Sequence, residues 1–191
     1  MGFAIAERLA SLGARVILVT GPVALQIKNE NIERVDVVSA QEMYTQCLKY
    51  FGECDAAIMV AAVADFAPVF VAGQKIKHTS ANYMLELHPN PDIAASLGKI
   101  KRKDQILVGF ALETSDEEQN ALAKLKKKNL DIIVLNSLRD NGSGFQHDTN
   151  KIKILDRSGT IVTYDLKPKS EVAVDIVNKL MEIEDSISRL L

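Results

Sequence analysis

Five short segments of this 191-residue chain carry side chains that could bind an anion or a base. The first is Val60-Ala61-Ala62-Val63-Ala64-Asp65-Phe66, where an apolar run ends in small residues and then a carboxylate. Small side chains let a ligand approach the backbone, and Asp65 could accept hydrogen bonds from ribose hydroxyls or an exocyclic amine such as that of cytosine. A plain turn cap accounts for Asp65 equally well. The second is Lys75-Ile76-Lys77, whose two lysines fall on the same side of an extended segment and could neutralise a phosphate or a developing oxyanion. A solvated lysine pair is the plainer explanation. The third, Asn90-Pro91-Asp92-Ile93, opens a helix whose free amides would suit an anion or a carbonyl oxygen, although ordinary capping gives the same sequence. In the fourth, Gly109-Phe110-Ala111-Leu112-Glu113-Thr114, a ring beside a glycine could stack on a base or simply fill the core. In the fifth, Lys124 and Lys128 lie four apart on a helix and share a face suited to a polyphosphate, while lysines in a last turn also complement the helix dipole.

Other chemistries find no support. His78, His88 and His147 are scattered singly, Cys47 and Cys54 form no CxxC pair, and the chain has no Gx4GK[ST], GxSxG or HExxH string. The two cysteines therefore read as packed thiols.

Elements that place these segments follow from apolar periodicity. Residues 2–12 repeat at helical spacing and stop at Gly13, and residues 15–20 (RVILVT) form a β-branched run closed by Gly21-Pro22. Strands are predicted at residues 35–39, 56–63, 106–112, 131–135, 151–155 and 161–164, and helices at 40–52, 90–97, 115–128 and 170–182. Pro91 is expected at an early helical position, where its missing amide proton costs nothing, and Asp156-Arg157-Ser158-Gly159 reads as a hairpin turn. Residues 66–87 lack a period and are a candidate lid. The alternation predicts one α/β domain over residues 1–191, a Rossmann-like, doubly wound, mostly parallel sheet with a C-terminal β-hairpin and helix. Ligands of such a sheet bind beyond the carboxyl ends of its strands, where the first and fourth segments fall.

Composition narrows the class further. With 47% apolar and 25% charged residues, the chain can bury a core, and a formal charge of −2 gives no overall field for nucleic acid or an anionic membrane. No run reaches the roughly 18 apolar residues of a spanning helix, so a cytoplasmic location is the expectation. The chain starts inside a helix, whereas a nucleotide-binding α/β unit normally starts with a strand and a glycine-rich turn; a fragment lacking that first strand and phosphate loop is expected.

Taken in order, MGFAIAERLASLGARVILVTGPV, AAVADF, KIK, NPDI, VGFALET, the lysine-bearing helix and LDIIVLN resemble the synthetase domain of bacterial phosphopantothenoylcysteine decarboxylase/synthetase across nearly the whole chain. The resemblance implies a homodimeric ligase of coenzyme A biosynthesis that uses CTP and Mg2+ to join 4'-phosphopantothenate to cysteine through an acyl-cytidylate. It places nucleotide contacts on Met59, Val60, Ala61, Asp65, Lys75, Pro91, Asp92, Ile93, Ala94, Phe110, Lys124 and Lys128, a catalytic role on Lys75, and the acyl group near Ala62. An Asn that holds the acyl intermediate, followed by Ser-Gly-Lys, is implied ahead of Met1, and FMN would belong only to an upstream decarboxylase. Two readings of other classes stand beside it: an NAD(P)-dependent Rossmann oxidoreductase, disfavoured by Gly21-Pro22 where a ribose-binding acid is expected, and a non-catalytic Rossmann module.

Overall fold

The computed structural model describes residues 1–77, 82–113, 116–137 and 148–188. Its elements run in the order α1 (Gly2–Ser11), β1 (Val16–Thr20), β2 (Ile32–Asp36), α2 (Ala40–Phe51), β3 (Ala56–Met59), β4 (Phe66–Pro68), β5 (Leu87–Pro89), α3 (Ile93–Ile100), β6 (Ile106–Glu113), α4 (Glu117–Lys127), β7 (Ile132–Ser137), β8 (Thr149–Asp156), β9 (Ile161–Pro168) and α5 (Lys169–Ser188).

Strands β3, β6, β7, β8 and β9 form one sheet in that order, parallel from β3 to β7 and antiparallel from β7 to β9. The two-residue alternation of its strands sends side chains to two cores. Leu107, Ala111, Ile133, Leu135 and Leu155 pack against α2, α3 and α4, while Val108, Ile132, Val134, Ile152 and Ile154 pack against α5 and Ile5 of α1. Helices thus cover both faces, as a doubly wound sheet requires. The β8–β9 hairpin closes where expected: Asp156 Oδ1 accepts from the amides of Ser158 and Thr160, and Gly159 takes φ +89°, which only glycine adopts at low cost.

At the amino ends of β6 and β7 a buried charge cluster braces the sheet. Asp131 takes Lys101 Nζ at 2.5 Å, Arg157 Nε at 3.0 Å and the Leu107 amide at 2.7 Å. Its remaining lone pairs are thereby satisfied, the condition for a buried carboxylate to be tolerated.

Several boundaries differ from the sequence reading. The second strand begins at Ile32 and ends at Asp36, because Ser39 is taken as the N-cap of α2, accepting from the Glu42 amide at 3.1 Å, while Glu42 reaches back to the Val38 amide. The third ends at Met59, where its pairing with β6 stops at Gly109. Helix α3 begins three residues later than predicted: Asp92 caps it, and Pro91 lies ahead of the cap. The stretch over residues 66–87 runs from β4 to the first residue of β5, which pair antiparallel through Phe66↔Pro89, Ala67↔His88 and Pro68↔Leu87, strands too short to show a period. Thr114, Ser115, His78 and His147 lie outside the described residues.

The expected single sheet is in two pieces. β1 and β2 pair in parallel as a separate ribbon, and β1 and β3 both line one cavity of about 1660 Å³ roofed by residues of α1 and α2. Among the described residues neither strand has a ladder partner on its second edge.

Candidate functional site

Past Met59 the chain leaves the sheet, and Val60, Ala61, Ala62, Val63 and Ala64 line the cavity with little more than backbone and methyl groups. Two hydrogen bonds fix this loop to the segment ahead of α3. Asn90 Nδ2 donates to the Ala64 carbonyl at 2.9 Å, and the Asn90 amide donates to the Asp65 carbonyl at 2.8 Å. Asn90 is thus a brace between two of the candidate segments.

On the α1/α5 face of the sheet, Phe110 lines the same cavity and packs against the second core. Asn136 lies in register with Leu112 on the neighbouring strand and also lines the cavity. Asn150, 3% exposed, donates to Asn136 Oδ1 at 3.1 Å, so the Asn136 amide is oriented by a buried neighbour. Sequence reasoning missed this pair; the signal was the polar residue closing the apolar run LDIIVLN.

Lys124 of α4 and Lys128, the residue that caps its C-terminus, are each matched to a carboxylate. Lys128 Nζ lies 2.9 Å from Asp92 Oδ2, and Lys124 Nζ lies 2.5 Å from Glu113 Oε1. Asp92 also caps α3, accepting from the Ala95 amide at 3.0 Å. Burial works to raise the Asp92 pKa, but the Ala95 amide and the Lys128 ammonium outweigh it and hold the carboxyl below its ordinary range. The distance between α3 and the end of α4 is set by Gly98, where a Cβ would meet the Lys128 carbonyl oxygen at 1.9 Å. Asn129 completes this junction by donating to the Gly98 carbonyl at 2.6 Å.

Met59, Val60, Ala61, Ala62 and Phe110 therefore gather along the cavity. Lys124–Glu113 and Lys128–Asp92 form two ion pairs, but none of these four residues lines the cavity. Ile93 is 5% exposed in the core, so any ligand contact it makes is through its backbone, and Ala94 packs beside it. Pro91 is half-buried, while Asp65 and Lys75 are exposed and do not line the cavity. Cys47 is a packed thiol whose pKa burial pushes up to about 11. No group of three or more His, Cys, Asp or Glu able to hold a metal occurs among the described residues. Neither does any helix long and apolar enough to cross a membrane.

A mostly parallel sheet covered by helices on both faces defines a Rossmann-like α/β domain. Residues 1–183 match the DNA/pantothenate metabolism flavoprotein C-terminal domain, and the chain belongs to that family. It is 42% identical over 180 residues to the coenzyme A biosynthesis bifunctional protein CoaBC of Bacillus subtilis, covering 94% of this chain and 44% of that protein. It is 52% identical over 183 residues to a protein named cysteine/cysteine sulfinic acid decarboxylase from an unknown prokaryotic organism, covering 96% of this chain and 51% of that one. Among solved structures, the C-terminal domain of CoaBC superposes with a TM-score of 0.79 at 36% identity, covering 96% of this chain and 82% of that one. The chain spans about half the length of the curated relatives it matches.

Proposed function

We propose that the chain is a single synthetase domain, residues 1–191, that ligates 4'-phosphopantothenate to cysteine with CTP. The phosphopantothenate carboxylate attacks the α-phosphate, a P–O bond to pyrophosphate breaks, and an acyl-cytidylate forms. The cysteine amine then attacks the carbonyl, loses a proton, and CMP leaves. What supports this reading most is the match of nearly the whole chain to the C-terminal domain of CoaBC, with every candidate segment of the sequence present in order.

In this reading the backbone of Met59, Val60 and Ala61 and the Phe110 ring receive the nucleoside, and Ala62 leaves room for the acyl group. Asp65 accepts hydrogen bonds from the cytidine moiety, and the amides around Pro91, Asp92, Ile93 and Ala94 face its phosphates at the start of α3. Lys124 and Lys128 meet the polyphosphate, and Lys75 offsets charge that builds during attack. Mg2+ would be held mainly by the CTP phosphates, since no group of three or more His, Cys, Asp or Glu that could cage it occurs among the described residues. The working protein is a cytoplasmic homodimer.

Thermal-shift measurements with CTP, ATP and NADH test the class of ligand, since a ligand that binds only the folded state raises its melting temperature. Selective stabilisation by CTP is expected. Stabilisation by NADH alone would make the domain an oxidoreductase module, and no response to any of them a non-catalytic one.

A further inference from the structure

The geometry points to Glu113 as a positioning residue that sets where the Lys124 ammonium stands, an inference that rests on Lys124 meeting the polyphosphate. Glu113 is the last residue of β6, held in the sheet by pairing with Ser137 of β7. Its side chain is only 13% exposed, whereas that of Lys124 is 46% exposed. The buried partner is therefore the fixed one, and the lysine, with four rotatable methylenes, is the one being held. An ammonium has three donors, and Glu113 Oε1 takes one at 2.5 Å. The others stay available at the carboxyl end of β6, the strand that carries Phe110.

The neighbouring pair is built the same way. Lys128, one turn on, is held by Asp92, which is itself fixed as the cap of α3. Two ammonium groups, one on α4 and one on the residue capping it, are thus each referred to a different element of the scaffold, which defines their spacing before a ligand arrives. Preorganisation of this kind removes part of the ordering cost of binding.

Opposing it is simple charge: a carboxylate beside the lysine repels an anion. Removing Glu113 as a positioning group weakens binding, and removing it as a competing charge tightens binding, so the sign of the effect decides. The test is a double-mutant cycle by calorimetry on Glu113→Gln, Lys124→Gln and the double variant, titrated with CTP and with inorganic tripolyphosphate, with melting temperatures measured in parallel. Glu113→Gln is expected to weaken both ligands about fivefold and to have no further effect in the Lys124→Gln background. Glu113→Asp, which keeps the charge but draws it back along the side chain, should lose affinity as well and keeps the test open if the Gln variant does not fold. Tighter binding by Glu113→Gln, or a loss of equal size with and without Lys124, would overturn the inference. Unchanged binding by Lys124→Gln would instead remove the polyphosphate role of Lys124 and the inference with it.

Discussion

Lys75 and Lys124 are both lysines near the proposed nucleotide path, yet their surroundings differ. Lys124 is paired and referred to the sheet, whereas Lys75 is exposed in the connection between β4 and β5. A contact made equally in the ground and transition states changes affinity, and one realised only in the transition state changes turnover. In a protein extended at its N-terminus with the strand and Asn-bearing segment implied by the resemblance, Lys75→Gln is expected to lower kcat and kcat/KM together by about two to three powers of ten. Lys124→Gln should act mainly on the KM for CTP. Steady-state kinetics with pyrophosphate release as the readout checks both, and an intact kcat in Lys75→Gln with kcat abolished in Lys124→Gln would reverse the two roles.

The elements were legible in the sequence wherever an apolar run was long, and illegible where a local side-chain bond decided the boundary. Strand β6 and helix α1 fall within a residue of their periodicity, since Leu107 and Val108 on opposite faces, and Ile5 and Ala6 along the helix, are all buried. The second strand slipped because Ser39 and Glu42 cap α2, and α3 slipped because Asp92 rather than Asn90 caps it. Of the candidate segments, the run of small residues over 60–64 and Phe110 line the cavity, whereas Asp65, Lys75, Lys124 and Lys128 do not. Glu113 was seen only as part of a string, because its partner lies 11 residues away across a helix turn. The Gly98 junction left no trace in the pattern at all. Gly98→Ala drives a methyl into the Lys128 carbonyl and must push α3 from the end of α4, taking Asp92 from Lys128. We expect a loss of about 1 to 3 kcal/mol in denaturant unfolding, together with weaker CTP binding. Wild-type stability with wild-type affinity would show that the two helices adjust without disturbing the site.

Across the whole molecule, charge braces the sheet at places remote from the site. Asp156 is 7% exposed and lies 3.0 Å from Lys179 of α5, joining the hairpin turn to the last helix. Burial would raise the Asp156 pKa, but the Ser158 hydroxyl, the Lys179 ammonium and the Thr160 amide hold it below the ordinary carboxylate range. Burial would lower that of Lys179, but Asp156 and Glu182 hold it above the ordinary lysine range. A depressed acid contributes stability above its unfolded pKa and loses it as the pH falls through its folded one; a raised base loses its share as the pH rises through its folded one. The pair therefore stabilises between about pH 4 and pH 10. Asp156→Asn is expected to cost about 3 kcal/mol at pH 7, with the gap to wild type closing as the pH is taken toward 2 in melting experiments. A gap independent of pH would assign the effect to packing. The proposed nucleotide site, by contrast, falls where the sheet is divided, along the cavity lined by β1 and β3 and at the carboxyl end of β6. The central claim is that this region reads a cytidine nucleotide, through base-edge hydrogen bonds that an amine-for-carbonyl exchange would leave unpaired. Calorimetric titration of the chain with CTP and UTP decides it: CTP is expected to bind at least about tenfold tighter than UTP, and equal affinity for the two would overturn cytidine recognition.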